Sequence, residues 1–358
     1  MRRVPLIIFG AGKVGRALLR QVLEAAPLHE SRDRVALRVA AWCDRDGAVV
    51  DEKGIPAEVL AAASAAKAGG ARLAGIEAGS PQSNLPAIVD VAGQDGAIVV
   101  DVTATGETVP ALELALARGY GVATANKVPL TGPQATFETL VRSGRFRYES
   151  TVGSAVPVIE ATLGLLRAND EIRSIRGALS GTLGFLSTGL QAGQPFSALV
   201  HDAMQRGYTE PDPRIDLAGM DVARKALILA RTIGWRLELD DVSVASLVPP
   251  HLAGLPLAEF LARLPELDDA YAAQVTAARA EDAVLRYVAE LRDGRAGVGL
   301  QAVRADSALG ALKGNDNLVA FESRYYPDMP LVLQGRGAGV EAAAAGVHAD
   351  IIALAQLW

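Results

Sequence analysis

The chain opens on an apolar run, Val4 to Phe9, which ends in a glycine-rich turn and gives way to apolar positions at helical spacing, ending before Pro27. That change of period predicts a strand, a turn and an amphipathic helix. A second run, RVALRVAAWCD, predicts another strand closing on Asp44. Residues 51 to 95 are alanine-rich with loops at AGG and AGSPQSN, and read as a solvated connecting region without chemistry. GAIVVDVTATGET then reads as a buried parallel strand, and VPALELALARGYGVATANKVPL as helix, turn and strand. Apolar runs that do not alternate, separated by helices, are the mark of a parallel sheet covered on both faces.

The turn after the first run has Gly10, Gly12 and Gly15 at G-x-G-x-x-G spacing. Such glycines permit a tight turn, close backbone approach to a pyrophosphate and packing of helix on strand. With a strand before, a helix after and Asp44 at the end of the next strand, where a ribose-binding acid belongs, the context predicts a Rossmann-type dinucleotide fold. Ligands of open α/β sheets bind at the carboxyl ends of the strands, which makes Thr103, Thr105, Asn126 and Lys127 candidates. Lys127 taken alone is equally well read as a solvated lysine.

Around residue 150 the pattern changes to glycine turns, further helices and shorter strands, and the end, MPLVLQGRGAGVEAAAAGVHADIIALAQLW, reads as strand, turn and terminal helix. Gly335, Gly337 and Gly339 make either a second phosphate or nicotinamide contact or a tight turn. Between lies GYTEPDPRIDLAGMDVARKALILAR, Gly207 to Arg231. Its second half predicts a helix with Asp216 as N-cap and Gly234 near its close. At about 100° per residue Arg224 and Arg231 share a solvated face, while Asp221 and Lys225, one turn apart, are set into the apolar arc. An i,i+4 ion pair accounts for that placement, but a partly buried lysine needs compensation by a partner or a substrate. With Glu210 ahead of it, the group suits a small zwitterion such as an amino acid.

Composition narrows the partners. The 358 residues carry a net charge of −6 with 50% hydrophobic and 21% charged side chains, which excludes disorder and suggests two domains. No basic run interleaved with aromatics points to nucleic acid, and the short first apolar run leads into a turn rather than a membrane. One cysteine, Cys43, excludes an internal disulfide framework, and the four histidines have no metal-ligand spacing. A cytoplasmic protein is expected.

The stretches GAGKVG, TANK, YESTVGSAVPVI, SGTL, the Gly207–Arg231 segment and QGRGAG with AAGVHAD resemble, in this order, those of the homoserine dehydrogenases. The resemblance covers nearly the whole chain, and the central segment is its specific part. It implies an α/β fold: a Rossmann-type doubly wound nucleotide-binding domain, residues 1–150 with 335–358 returning to it, and an α+β catalytic and dimerisation domain, residues 151–334. It implies NAD(P)-dependent interconversion of L-homoserine and L-aspartate 4-semialdehyde in threonine, methionine and isoleucine biosynthesis, by a homodimer.

The same resemblance makes Lys225 the proton donor and places Glu210, Asp221 and Thr182 at the substrate. It puts the first glycine loop (Gly10, Gly12, Lys13, Val14, Gly15), Thr103, Lys127, Gly207 and Gly339 at the cofactor, to which the end of the second strand adds Asp44 and Arg45. It also implies a structural sodium ion held by Glu149 and the carbonyls of Val152, Ser154 and Val156. Arg336 and Ala343 depart from the family pattern near the cofactor end. Asp44 favours NAD, whereas Arg45 beside it suits the 2′-phosphate of NADP. The last glycine turn is followed by one helix ending at Trp358, so a short form without a C-terminal regulatory domain, only weakly inhibited by threonine, is expected. A different Rossmann oxidoreductase and a catalytically silent nucleotide sensor are the competing readings; a sensor is expected to have lost Lys225 or Asp221.

Overall fold

The computed structural model describes residues 1–357 and divides into two compact units, Met1–Ala155 with Gly339–Trp358 and Val156–Ala338. The first is built on a seven-stranded sheet: β1 (Arg2–Phe9), β2 (Val35–Cys43), β3 (Gly47–Val50), β4 (Ser80–Pro81), β5 (Ile98–Asp101), β6 (Gly121–Thr124) and β7 (Phe146–Arg147), in the order β4-β3-β2-β1-β5-β6-β7. Across β2-β1-β5-β6-β7 neighbouring strands are parallel, and β3 and β4 are added antiparallel at one edge. The chain winds from β1 to β2 on one side and later returns to place β5 on the other, so the order reverses between β1 and β5.

β1 is buried from Val4 to Phe9, as an unbroken apolar run in a two-sided sheet must be. The helix Lys13–Glu24 buries Ala17, Leu18, Leu19 and Val22 against it, each large side chain contributing about 1.5–3 kcal/mol. The terminal helix Val340–Ala355 joins the same core through Ala344, Val347, Ile351 and Leu354, which is how the last residues return to the first unit.

The second unit has a six-stranded sheet of β8 (Ile172–Ala178), β9 (Ser243–Val244), β10 (Ala283–Arg292), β11 (Arg295–Arg304), β12 (Asn317–Ser323) and β13 (Leu331–Gly335), ordered β13-β12-β8-β10-β11-β9. All pairs are antiparallel except β11 with β9. The β10–β11 hairpin closes through Asp293 and Gly294, both at positive φ (51° and 74°), as a two-residue turn between right-twisted strands requires. The core includes Ala178, Val288, Val303, Leu309, Leu312 and Leu318.

The helix carrying Lys225 starts later than the sequence suggested. Asp216 is not its N-cap: it lies in a separate short helix, Arg214–Leu217, and the main helix runs Met220–Thr232 from Gly219. Gly219 has φ +76°, and a Cβ there would come within 1.9 Å of the Tyr287 hydroxyl, so turn geometry and packing both demand glycine. Arg231 is also not solvated. It is 3% exposed, and its guanidinium donates to the Leu237 carbonyl and the Glu238 carboxylate.

Candidate active site

In the second unit, the helix Met220–Thr232 brings Lys225 into an apolar wall of Val222, Ala226, Ile228 and Leu229. Lys225 is 9% exposed, and its Nζ donates to the Leu179 carbonyl at 2.6 Å and meets Asp221 Oδ2 at 2.9 Å. Asp221 keeps about half of its side chain in solvent, so the ammonium is buried and its counter-ion is not.

Leu179 immediately precedes the helix Gly181–Gln191, which is capped by Ser180 accepting from the Leu183 N–H. From the first turn of that helix, Thr182 donates its hydroxyl to the Tyr208 carbonyl at 2.5 Å and pins the loop that carries Glu210. That loop is also held from below: the Arg214 guanidinium clamps Asp212, donates to the carbonyls of Ala253 and Leu255, and stacks on Phe260. Lys225, Asp221 and Thr182 are therefore tied to one frame with the exposed Glu210.

Asp216, read from sequence only as a cap, belongs to this group. Its carboxylate accepts from the Glu210 N–H at 2.8 Å. Burial raises its pKa, and the charges of Glu210 and Asp221 raise it further. The sequence signal that could have found it is the spacing: Asp216 precedes Asp221 by five residues, with the left-handed Gly219 between them re-aiming the chain. Gly207, at φ +68°, closes the helix Phe196–Gln205, donating its N–H to the Met204 carbonyl, and is exposed.

In the first unit the glycine loop has the form expected of it. Gly10 sits at φ +110° with its N–H on the Cys43 carbonyl, and a Cβ on Gly15 would fall 2.0 Å from the Gly10 carbonyl oxygen. Gly12 is different: a Cβ there would touch nothing, and the helix it begins has no side-chain cap. Lys13 and half-buried Val14 follow. An open, uncapped helix N-terminus behind a strand end fits the phosphates of a dinucleotide. Gly339, at φ +117°, likewise begins Val340–Ala355 without a side-chain cap and with open space at its Cα. Of the other glycines in that turn, Gly337 is steric, since a Cβ would lie 1.8 Å from Asn317 Nδ2. Arg336 is exposed, and Ala343 serves through its carbonyl, which accepts from Ser150 Oγ at 2.9 Å.

Asp44 directly follows β2, but its carboxylate is already filled. Oδ1 accepts from the N–H groups of Asp46 (3.1 Å) and Gly47 (2.9 Å), and Oδ2 from Leu73 N–H (2.9 Å) and Lys67 Nζ (2.6 Å). Burial pushes this carboxyl up, yet Lys67 and the amides outweigh it and hold it below its ordinary value. Lys67 and Leu73 come from the segment read as a region without chemistry, which corrects that reading. Arg45 beside them is exposed.

Thr103, Asn126 and Lys127 stand at the ends of β5 and β6, where Asn126 Nδ2 donates to Asp101, to Thr103 Oγ1 and to the Thr105 carbonyl. Glu149 is buried and its N–H donates to Asp350 Oδ2 at 2.9 Å. Ser154 is at φ +56°, the Val156 carbonyl accepts from the Val158 N–H, and Val152 is buried.

Two family models match the chain: "Homoserine dehydrogenase, NAD binding domain" over residues 10–146 and "Homoserine dehydrogenase" over residues 157–352. The chain belongs to the homoserine dehydrogenase family. It is 40% identical over 274 residues to the homoserine dehydrogenase of Paracoccidioides brasiliensis, an alignment covering 72% of this chain and 73% of that one. To the bifunctional aspartokinase/homoserine dehydrogenase of Haemophilus influenzae it is 35% identical over 98% of its own length but only 42% of the relative's. The chain thus spans less than half of that relative. A crystal structure of a Candida auris protein of unknown function superposes with a TM-score of 0.86 at 31% identity, covering 100% of this chain and 99% of that one. Among the described residues no helix is long and apolar enough to cross a membrane.

Proposed function

We propose that this homoserine dehydrogenase family member interconverts L-homoserine and L-aspartate 4-semialdehyde with a nicotinamide cofactor, as a cytoplasmic homodimer serving threonine, methionine and isoleucine synthesis. The observation that carries the reading is Lys225, an ammonium buried in an apolar wall and held by one carbonyl and one half-exposed carboxylate. When bound, the cofactor supplies or takes the hydride at the carbon bearing the oxygen. Lys225 then does what an ammonium does best: in reduction it stabilises charge developing on the aldehyde oxygen and gives that oxygen a proton, and in oxidation its neutral amine takes the hydroxyl proton. Leu179 and Asp221 fix the position of Nζ. Glu210 and Asp221 offer carboxylates to the substrate ammonium, and Thr182 holds the loop in place.

Gly10, Gly12, Lys13, Val14, Gly15, Thr103, Lys127, Gly207 and Gly339 are proposed as cofactor contacts, in keeping with the family resemblance and with the two uncapped helix starts at Gly12 and Gly339. On cofactor choice the filled Asp44 argues against the selection expected of it. A carboxylate whose four lone-pair positions already accept hydrogen bonds has none left for ribose hydroxyls. Lys67 neutralises Asp44 and exposed Arg45 adds a positive charge beside it, so NADP is proposed to be used at least as well as NAD. A sodium ion near Glu149, Val152, Ser154 and Val156 is proposed as structural, supported by the buried Glu149 and the left-handed Ser154.

Initial rates with aspartate semialdehyde and NADPH or NADH, and with homoserine and the oxidised cofactors, test the proposal. Turnover dependent on both partners is expected. Cofactor binding without turnover of either substrate would favour the silent sensor, and turnover of another amino-acid aldehyde alone would favour a different oxidoreductase.

A further inference from the structure

The first unit holds one more charge that the proposed chemistry does not use. Asp101 ends β5, is fully buried, and faces four neutral donors. Oδ1 accepts from Thr103 N–H at 3.0 Å and Thr103 Oγ1 at 2.7 Å; Oδ2 accepts from Thr108 Oγ1 at 2.7 Å and Asn126 Nδ2 at 3.0 Å. Thr103 Oγ1 itself accepts from Asn126 Nδ2 at 3.1 Å, which commits its own proton to Asp101. A neutral carboxyl must donate a proton, and the backbone N–H, the amide and the Thr103 hydroxyl are all placed to donate instead; the Thr108 hydroxyl, whose other acceptor is the Thr105 carbonyl at a long 3.4 Å, is closest to Asp101 at 2.7 Å and donates there. The pattern therefore suits the carboxylate, even though burial raises its pKa.

Such a charge is costly to keep in a sheet interior, and an apolar residue would extend β5 equally well. Its location gives a reason. β5 lies next to β1 at the point where the strand order reverses, the crevice in which this class of sheet binds dinucleotides. A nucleotide held with its pyrophosphate over Gly10–Gly15 and its adenosine half toward β2 would extend its other half toward the ends of β5 and β6, where Asp101, Thr103 and Asn126 are linked. The nicotinamide ring is a cation when oxidised and neutral when reduced, so a fixed anion near it acts on one form only.

We propose that the Asp101 carboxylate is a specificity-determining residue that biases this nucleotide-binding unit toward the oxidised form of its cofactor. The inference rests on the reading that a nicotinamide dinucleotide occupies this strand edge. Two opposite charges about 8 Å apart at an effective dielectric of about 20 change an affinity by about thirtyfold, and water at the edge reduces that, so a threefold effect is about the least expected.

The test is a set of dissociation constants, by calorimetry or fluorescence, for NADP⁺, NADPH and 2′-phospho-ADP-ribose with the unaltered protein and with Asp101→Asn. The variant is expected to lose at least about threefold in affinity for NADP⁺ relative to NADPH. 2′-Phospho-ADP-ribose, which keeps the 2′-phosphate and lacks only the nicotinamide, is expected to bind both proteins alike. An unchanged NADP⁺/NADPH ratio with intact 2′-phospho-ADP-ribose binding overturns the proposal. Failure of 2′-phospho-ADP-ribose to bind the unaltered protein overturns it together with the nucleotide reading beneath it. Should Asp101→Asn not fold, the unaltered protein still decides: NADP⁺ is expected to bind at least as tightly as NADPH, and NADPH binding more than about tenfold tighter refutes the bias.

Discussion

The candidate sites of the two units hold their carboxylates in opposite ways. In the first, Asp44 and Asp101 each accept four hydrogen bonds from the protein itself. In the second, Glu210 is exposed, Asp221 shares Lys225 while half of its side chain is in solvent, and Asp216 is raised by burial and by both of these neighbours. Saturated carboxylates order a backbone, because every lone pair is already used. Carboxylates placed near one another around a buried ammonium instead leave energy to be gained by a ligand that brings its own charge. The contrast separates carboxylates whose lone pairs are used up within the protein, and which can act only through their charge, from carboxylates that still have room to bind a ligand directly.

The strongest way to break the comparison is at the buried Lys225. Lys225→Ala removes the proposed proton donor and leaves the helix Met220–Thr232 with a residue of better helix propensity. The expected result is a kcat at least about a hundredfold lower with unchanged circular dichroism. Lys225→Arg is expected not to restore it, because a guanidinium does not give up its proton. Near-normal turnover in either variant would place the chemistry elsewhere.

Lys225 was legible in sequence because a charge inside an apolar helical arc is a departure from pattern, and burial is what pattern reports. The glycine loop was legible for the same kind of reason, since Gly10 and Gly15 answer to steric needs that no other residue meets. Asp216 and Arg231 were misread because helical periodicity fixes a direction around an axis but not where the axis starts; Gly219 breaks the helix and changes the frame. Arg231 shows a further limit. Its burial depends on the Leu237 carbonyl and Glu238 arriving from beyond the helix, which no spacing within the helix announces. Lys67 and Leu73 reach Asp44 from more than twenty positions away in a plain alanine-rich stretch, so only the fold reveals that the expected ribose acid is taken.

The saturated side of the comparison can be sharpened at Lys67. Lys67→Met removes one of the four donors to Asp44 and the positive charge that neutralises it, leaving a carboxylate to repel a 2′-phosphate. The expected outcome is about a tenfold fall in kcat/KM for NADPH with a smaller change for NADH, the magnitude of a single charge-assisted hydrogen bond. A rise in NADH efficiency alone would show that freeing Asp44 lets it act as the ribose acid after all. Equal losses with both cofactors would show that Lys67 supports the fold without reading the phosphate.

The smallest expected effect concerns a pair of histidines outside both sites. His29 donates or accepts at both ring nitrogens: Nδ1 meets Asp33 Oδ2 at 2.8 Å, and Nε2 lies 2.9 Å from Nε2 of His348 on the terminal helix. Asp33 is also held by Arg32, which keeps its carboxyl down at about 2. Only one proton fits between the two facing nitrogens, and burial followed by the proximity of His29 pushes His348 down to about 4. The sign follows from linkage: an unfolded histidine takes its proton near pH 6.5, before the folded one does. The stabilisation is therefore complete above that pH and is lost as the pH falls toward 4, with a slope of at most about 1.4 kcal/mol per pH unit. Asp33 adds a separate loss only at lower pH, between its ordinary value and about 2. Urea unfolding of the unaltered protein is expected to show a falling midpoint from pH 7 to pH 4.5, and His348→Gln, which cannot titrate, is expected to flatten that fall while lowering stability at pH 7. If the two proteins lose stability in parallel over this range, the acid sensitivity lies in other groups and the histidine pair is only a contact.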